Sequence, residues 1–288
     1  MIPAAFEYTR PASLDEAMRL LADGNGGAKI IAGGQSLLPI LKLRLASPER
    51  LIDIGRLAEL KGVRKLPDGR LAVGAMTTYT ELMESPAKHY GLIQDAVPRI
   101  ADVQVRNRGT VGGSIAHADP ASDLPACLLA LDAEIVARSP SGERTIDAIA
   151  FFQGAFETAL NSDEVLTEIR LPAPREDAGS AYASLLQPAS GYAIVGVAAV
   201  VVRGGPSGPI VFSTVAITGI ADIAYRATGV EETLTGTDGS AEAIAAAAAH
   251  ATDGVDVLGD IHADAAYRTA MAAVYTRRAI EAALARID

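Results

Sequence analysis

Two stretches of this chain combine residue types that can bind a ligand as well as turn the backbone. The first is Ala28-Lys29-Ile30-Ile31-Ala32-Gly33-Gly34-Gln35-Ser36-Leu37-Leu38-Pro39. It runs from a short apolar strand into a glycine pair, a hydroxyl residue and leucines. The second is Thr110-Val111-Gly112-Gly113-Ser114-Ile115-Ala116-His117-Ala118-Asp119-Pro120-Ala121-Ser122-Asp123-Leu124-Pro125. It joins a glycine pair to hydroxyl residues, two carboxylates and two prolines. Glycine lets a backbone approach a ligand closely or adopt positive φ. Successive N–H groups in such a turn form a concavity for an anion. Either pair alone is equally well a tight turn. Together they read as two opposed loops on one elongated, phosphate-containing ligand, whose charge meets backbone dipoles with no lysine required. Neither loop has the G-x-x-x-x-G-K-[ST] or the G-x-G-x-x-G spacing, so P-loop and Rossmann sites are unsupported.

The remaining chemistry-bearing residues are sparse. Asp119 and Asp123 can cap turns and helices, or accept hydrogen bonds from the diol of a ribose or ribityl chain. His89, His117, His250 and His262 show no metal-ligand spacing. His117 falls within the second stretch and is a candidate lining residue only. Cys127, the single cysteine, reads as a small buried side chain. It excludes an internal disulfide, and alone it cannot hold an iron–sulfur cluster or a structural zinc on this chain. Tyr192 reads either as core or as an aromatic ring beside a planar cofactor. An acid–base centre is not evident, which suits a cofactor that carries the chemistry itself.

The elements that must position these residues are legible in part. Residues 6–11 look extended. Ser13 with Glu16 predicts a capped helix whose Leu14, Ala17, Met18 and Leu21 share one face, closed by Gly24-Asn25-Gly26-Gly27. Residues 29–32 and 51–54 read as short strands, with Ser36 capping a helix between them and Pro39 in its first turn. Strands are expected over 60–63, 70–74 and around Thr77-Thr78, with a turn at Pro67-Asp68-Gly69. A short helix follows at 81–84. Residues 92–105 read as helical with Pro98 as an interruption. Residues 126–131 read as helix, and 134–137 and 165–171 as strands. The stretch 172–179 is the best linker candidate. Beyond it, 193–202 and 210–218 predict two antiparallel strands joined through Gly204-Gly205-Pro206-Ser207-Gly208-Pro209. Residues 241–249 are helical by propensity. The last helix carries Met271, Val274, Tyr275, Ile280, Ala283, Leu284 and Ile287 on its apolar side.

Length and composition bound the answer. The 288 residues suggest about two domains. A net charge of −10 argues against nucleic acid or an anionic membrane as main partner. No apolar run reaches the roughly 20 residues of a membrane span, and the first residues lack a signal-peptide pattern. A cytoplasmic protein is the simplest expectation.

The two glycine-pair loops resemble the FAD-pyrophosphate loops of the FAD-binding medium subunits of molybdenum hydroxylases, the xanthine dehydrogenase family. The resemblance extends to Met1-Ile2-Pro3, Asp119-Pro120-x-x-Asp123-x-Pro125, Leu166-Thr167-x-Ile169-Arg170, Gly191-Tyr192-Ala193, Ala266-Tyr267-Arg268 and Arg277-Arg278-Ala279. Within that family it lies nearest the medium subunits of aerobic carbon monoxide dehydrogenases. It implies an α+β chain: a two-lobed FAD-binding domain over 1–176 (lobes about 1–55 and 56–176), then a small antiparallel sheet with a helical bundle over 177–288. Ala32, Gly33, Gly34, Gln35 and Ser36, with Thr110, Val111, Gly112, Gly113 and Ser114, would cradle the pyrophosphate. Asp123 would take sugar or ribityl hydroxyls. Ile100, Ala101 and Leu166 would lie against the flavin or adenine, and Tyr192 near the isoalloxazine. Gln35 departs from the carbon monoxide enzymes, which carry His there; Gln is common in relatives acting on N-heterocycles and other substrates.

The resemblance also implies partners: a small iron–sulfur subunit with 2Fe-2S clusters and a large subunit with the molybdenum cofactor, assembled as a dimer of heterotrimers. Electrons would pass from the clusters to FAD and on to a quinone, oxygen or another acceptor. The complex would be cytoplasmic, or peripheral at the inner membrane face. Carbon monoxide leads as substrate of the assembly. An N-heterocycle or aldehyde dehydrogenase and a stand-alone FAD oxidase are the alternatives, and a non-catalytic nucleotide-binding protein is a third.

Overall fold

A computed structural model describes residues 1–175, 177–205 and 208–287. The chain opens with β1 (Glu7–Thr9), α1 (Leu14–Asp23), β2 (Ala28–Ile31), α2 (Leu37–Leu43) and β3 (Arg50–Asp53). β1 and β2 each pair in parallel with β3, which is the centre of a three-stranded sheet. Ser13 accepts from the Glu16 N–H at the start of α1, as its sequence demands. The Glu16 carboxylate reaches back to Ala12 N–H at 2.7 Å, one residue beyond a strict capping box. Leu14, Ala17, Met18 and Leu21 are all buried and pack with Ile52, Ile54 and Leu57.

The second lobe follows with β4 (Val63–Lys65), β5 (Leu71–Gly74), α3 (Tyr79–Glu84), α4 (Gly91–Ala96), α5 (Val103–Arg106), α6 (Val111–His117) and α7 (Asp123–Ala130). It is completed by β6 (Glu134–Ser139), β7 (Gly142–Asp147), α8 (Ala148–Phe151), β8 (Phe152–Gly154), β9 (Glu157–Thr158) and β10 (Val165–Leu171). Its five-stranded antiparallel sheet has the order β4-β5-β10-β6-β7. Its core gathers Val73, Val111, Ile115, Leu124, Leu128, Ile135 and Phe151.

The last part holds β11 (Ala178–Leu186), β12 (Ala193–Arg203), β13 (Ile210–Thr218), β14 (Tyr225–Arg226), α9 (Thr228–Leu234), α10 (Ala241–Ala248) and α11 (Ala265–Leu284). The strands form a four-stranded antiparallel sheet in chain order. Alternation along a strand sends neighbouring residues to opposite faces. Val195, Val197, Ala199 and Val201 of β12 pack in one core with Ala272, Ala279 and Ile280 of α11. Tyr182, Ala198 and Ala216 join the core of the second lobe on the other face. The sheet is thus sandwiched between the terminal helices and the second lobe. The chain is α+β, as the sequence implied.

Some local expectations change. Thr77 and Thr78 form no extended strand, only an isolated antiparallel bridge from Thr78 to Thr110: Thr78 makes a full capping box with Glu81 and starts α3, while Thr77 hydroxyl donates to the Gly62 carbonyl. That local bonding outcompetes the β preference of a threonine pair. Residues 60–63 split between a 3-10 turn at Ala58–Leu60 and the start of β4. Residues 92–105 split into α4, a 3-10 turn at Val97–Arg99 and α5, which Asp102 caps. On α11 the fully buried set is Arg268, Ala272, Thr276, Ala279, Ile280 and Ala283, whereas Met271 and Tyr275 are only partly covered. Small residues there let the helix approach the sheet so closely that a Cβ on Gly179 would overlap the Ala283 carbonyl. The proposed linker is shorter than expected, because Ala178 and Gly179 already belong to β11. Glu176, at the expected domain boundary, and Pro206-Ser207 in the expected hairpin loop lie outside the described residues.

Candidate functional site

β2 ends at Ile31, and Ala32 to Ser36 turn the chain into α2. The turn stands at the C-terminal edge of the parallel sheet, where open α/β sheets gather ligands. Gly34 has φ +76°, which its lack of a Cβ permits. Among the described residues, no protein acceptor meets the backbone N–H of Gly33, Gly34, Gln35 or Ser36. The Gln35 side chain instead donates to the Gly33 carbonyl at 3.2 Å. Ser36 occupies the N-cap of α2, but its hydroxyl makes no capping bond. The expected cap is therefore positional only, and the hydroxyl stays available.

The second glycine pair behaves differently. It was expected as a loop, and it is the first turn of α6. Thr110 caps that helix by accepting from Gly113 N–H at 3.2 Å. Val111 N–H donates to the Thr77 carbonyl and Gly112 N–H to the Ala75 carbonyl, both at 2.9 Å. Among the residues of the two glycine pairs, unpartnered N–H groups therefore lie in the first segment. Gly112 serves contact: a Cβ there would lie 2.5 Å from that of Ala75.

The two segments touch. A Cβ on Gly33 would overlap the Arg108 carbonyl oxygen, and one on Gly113 would stand 3.5 Å from the Ala32 Cβ. Behind them lies Tyr79, whose phenol is pushed up to about 12 by burial. Leu166 is inside the sheet core of β10 and joins the site only from behind, since Ala75 N–H donates to the adjacent Thr167 carbonyl.

Beyond α6, Ala118 takes the left-handed conformation and starts the Asp119–Ser122 loop. Asp119 accepts from Ala121 N–H at 3.0 Å, the cap role expected of it. Ser122 Oγ lies 3.1 Å from Ser114 Oγ. The C-terminal sheet fastens this loop. Gly219 N–H donates to the Pro120 carbonyl at 2.9 Å, and Thr218 hydroxyl donates to the carbonyls of Pro120 and Ser122 at 2.8 and 2.9 Å. Asp123 then opens α7 with only 4% exposure, and accepts from Tyr182 hydroxyl at 2.5 Å. Burial pushes the Asp123 carboxyl up to about 6, and the Tyr182 hydrogen bond opposes that rise.

Ile100 and Ala101 form a turn in which Ala101 has φ +46°. The Arg106 guanidinium donates to both carbonyls, at 2.9 and 2.8 Å. Gly191, at φ +76°, faces this turn, with 3.5 Å from its Cβ position to the Ala101 Cα. Tyr192 is 43% exposed beside it, so it is no core residue. Burial, then the nearby Asp119 carboxylate, raises its phenol.

The other candidates stay outside. His117 is half-buried with its ring 5.1 Å from that of Phe156, and burial lowers its pKa. Cys127 is fully buried and its thiol is raised by burial. His250 pairs with Asp253 on the surface. Among the described residues, no three His, Cys, Asp or Glu side chains are grouped for a metal. Sequence reasoning missed Tyr79, Arg106, Tyr182 and Thr218. Only Arg106 carried a local signal, its place just before Gly109 and Thr110.

Comparisons with known proteins bear on this junction. Residues 4–174 match the family model of the FAD binding domain in molybdopterin dehydrogenase, and residues 180–283 match that of the CO dehydrogenase flavoprotein C-terminal domain. The chain belongs to this family of FAD-binding medium subunits. It is 42% identical over 288 residues to the carbon monoxide dehydrogenase medium chain of Hydrogenophaga pseudoflava, covering 99% of each. It is 37% identical over 288 residues to the 6-hydroxypseudooxynicotine dehydrogenase complex subunit alpha of Paenarthrobacter nicotinovorans, covering 99% of this chain and 97% of that one. It superposes with a TM-score of 0.95 on a chain of the carbon monoxide dehydrogenase from Hydrogenophaga pseudoflava that lacks the Mo-pyranopterin moiety, at 43% identity and 99% coverage of each. The relatives are subunits of oxidoreductases, and the family's cofactor is FAD. The first glycine pair fits it: unpartnered N–H groups and a glycine at positive φ are what a pyrophosphate needs.

Proposed function

We propose that this chain is the flavin subunit of a three-subunit molybdenum hydroxylase, with carbon monoxide as the leading substrate of the assembly. The observation that carries the site is the run of unpartnered N–H groups from Gly33 to Ser36, set against the α6 wall. The full-length likeness to a carbon monoxide dehydrogenase medium chain supports the substrate. The second family member, named for 6-hydroxypseudooxynicotine, and Gln35 together favour an N-heterocycle dehydrogenase as the competing reading.

In this reading FAD lies between the two lobes and the C-terminal domain, whose boundary is near residue 176. Ala32 to Ser36 hold the pyrophosphate through backbone N–H groups. Thr110, Val111, Gly112, Gly113 and Ser114 form the facing wall, in which the Ser114 hydroxyl lies 3.1 Å from that of Ser122. Asp123 accepts sugar or ribityl hydroxyls. Ile100 and Ala101 would lie against a ring system with Leu166 behind it, and Tyr192 would stand near the isoalloxazine. FAD held there would supply the redox chemistry, receiving electrons from 2Fe-2S clusters on a small partner subunit, with a quinone or oxygen as acceptor. The substrate meets the molybdenum cofactor on a large partner subunit and never this chain. The assembly is cytoplasmic, a dimer of heterotrimers. Among the described residues, no helix is long and apolar enough to cross a membrane.

The test is co-expression with the candidate iron–sulfur and molybdenum subunits, followed by an absorbance spectrum and chromatography of the released cofactor. FAD, with flavin bleaching under carbon monoxide, is the expected result. Bleaching by an N-heterocycle instead replaces the substrate. No flavin in the assembled complex overturns the reading.

A further inference from the structure

The carboxylate assigned to the cofactor's hydroxyls is held by a residue from the other domain. Tyr182 lies on β11, 59 residues from Asp123, and both side chains are buried. The Tyr182 backbone is fixed from the FAD side, because its N–H donates to Asp95 at 3.0 Å. Asp95 is in turn paired with Arg286 at 2.7 Å. The phenol lies over Gly196 of the facing strand, where an added Cβ would overlap the Tyr182 hydroxyl oxygen. A glycine there leaves the hydroxyl room to reach Asp123.

We propose that Tyr182 is a positioning residue for Asp123: its hydroxyl keeps the carboxylate in the rotamer and ionisation state that accept hydroxyls of the bound flavin cofactor. The inference rests on the reading of Asp123 given above. Without the phenol, the buried carboxylate has no comparable donor on the sheet side among the described residues. A carboxylate that loses a hydrogen bond to its charged form takes up a proton more readily. A protonated Asp123 has less capacity to accept from a diol.

The groups that face Asp123 are few. Tyr182 reaches it from β11, Tyr79 from α3, and Tyr192 from the turn before β12. Arg99 supplies the neighbouring positive charge, and Cys127 is a turn further along α7. Of these, Asp123 alone is placed to titrate near pH 6, and burial holds it there. His117 stands outside this set, half-buried against Phe156, and burial lowers its pKa.

The experiment is FAD titration of the full-length, flavin-stripped chain by quenching of flavin fluorescence between pH 5 and 8. Wild-type affinity is expected to rise through about pH 6 and level off. Asp123→Asn is expected to bind more weakly and without that transition. Tyr182→Phe is expected to move the transition up by about one pH unit, and so to weaken binding about threefold at pH 6.5 and close to tenfold near pH 5. Circular dichroism checks that each variant folds. Gly196→Ala serves as a second variant, displacing the hydroxyl while keeping the phenol, with the same expected shift. An unmoved transition in folded Tyr182→Phe or Gly196→Ala, with the transition lost in Asp123→Asn, overturns the positioning role alone. An Asp123→Asn variant that binds and titrates like wild type overturns the reading of Asp123 itself, and the positioning role with it.

Discussion

The two glycine pairs look alike in sequence and do different work. Gly33-Gly34 sits in a turn, uses positive φ once, and leaves its own N–H groups and those of Gln35 and Ser36 without protein acceptors. Gly112-Gly113 sits in a helix, and its N–H groups are spent on Ala75 and on Thr110. The first pair presents donors. The second lets α6 come close enough to Ala75 and Ala32 to make a wall. A glycine pair in a sequence names a close approach without saying what approaches.

That contrast can be broken at graded sites. Gly33→Ala is expected to have the largest effect, because the new Cβ meets a backbone carbonyl at the seam of the two segments. Flavin affinity should fall about a hundredfold, and stability by about 2–3 kcal/mol, from combined flavin titration and thermal unfolding. Gly112→Ala should cost about 1–2 kcal/mol, overpacking against Ala75 being partly offset by better helix propensity. Its folded fraction should still bind flavin within about threefold of wild type, since the added methyl disturbs packing and leaves the N–H donors of the first pair in place. A Gly112→Ala chain that keeps its melting temperature and loses flavin would reverse the roles assigned to the two pairs.

Gly34→Ala sharpens the same contrast from the other side. Forcing an alanine to positive φ costs about 1 kcal/mol, and re-aiming the N–H groups should weaken flavin binding about tenfold. Thr110→Ala removes a cap and should lower stability by about 1 kcal/mol with little effect on flavin. The smallest effect is a gain. The Asp123 carboxyl, raised by burial, binds its proton more tightly folded than unfolded, so its ionisation costs stability as pH rises from about 4 to about 6. Asp123→Asn should raise the flavin-free melting temperature at pH 7.5 by about 2–4 °C and leave it unchanged at pH 4. An equal gain at both pH values would remove ionisation as the cause.

What the sequence disclosed follows the range of the interactions concerned. α1 and its cap were legible, because Ser13, Glu16 and the apolar spacing lie within one element. β13 was legible as Ile210–Thr218, from its β-branched run between glycine-rich and turn segments. α6 was not, since two glycines argue against a helix by about 1 kcal/mol each. Packing on Ala75 and the Thr77, Ala75 and Thr110 acceptors override that preference from outside the segment. Asp123 was legible as a carboxylate of the second stretch, and its burial was not. The donor that makes that burial tolerable comes from Tyr182, 59 residues away, and no local pattern announces it.

The fastening of the Asp119–Ser122 loop by β13 sets an order on biosynthesis. Thr218, which grips the carbonyls of Pro120 and Ser122, leaves the ribosome 98 residues after Pro120. A nascent chain halted after β10 already contains both glycine pairs and every N–H donor of the first. It still lacks the strand that anchors the loop leading into Asp123. Flavin loading is therefore expected to be a late event in the life of this polypeptide, following completion of the sheet that fastens the loop.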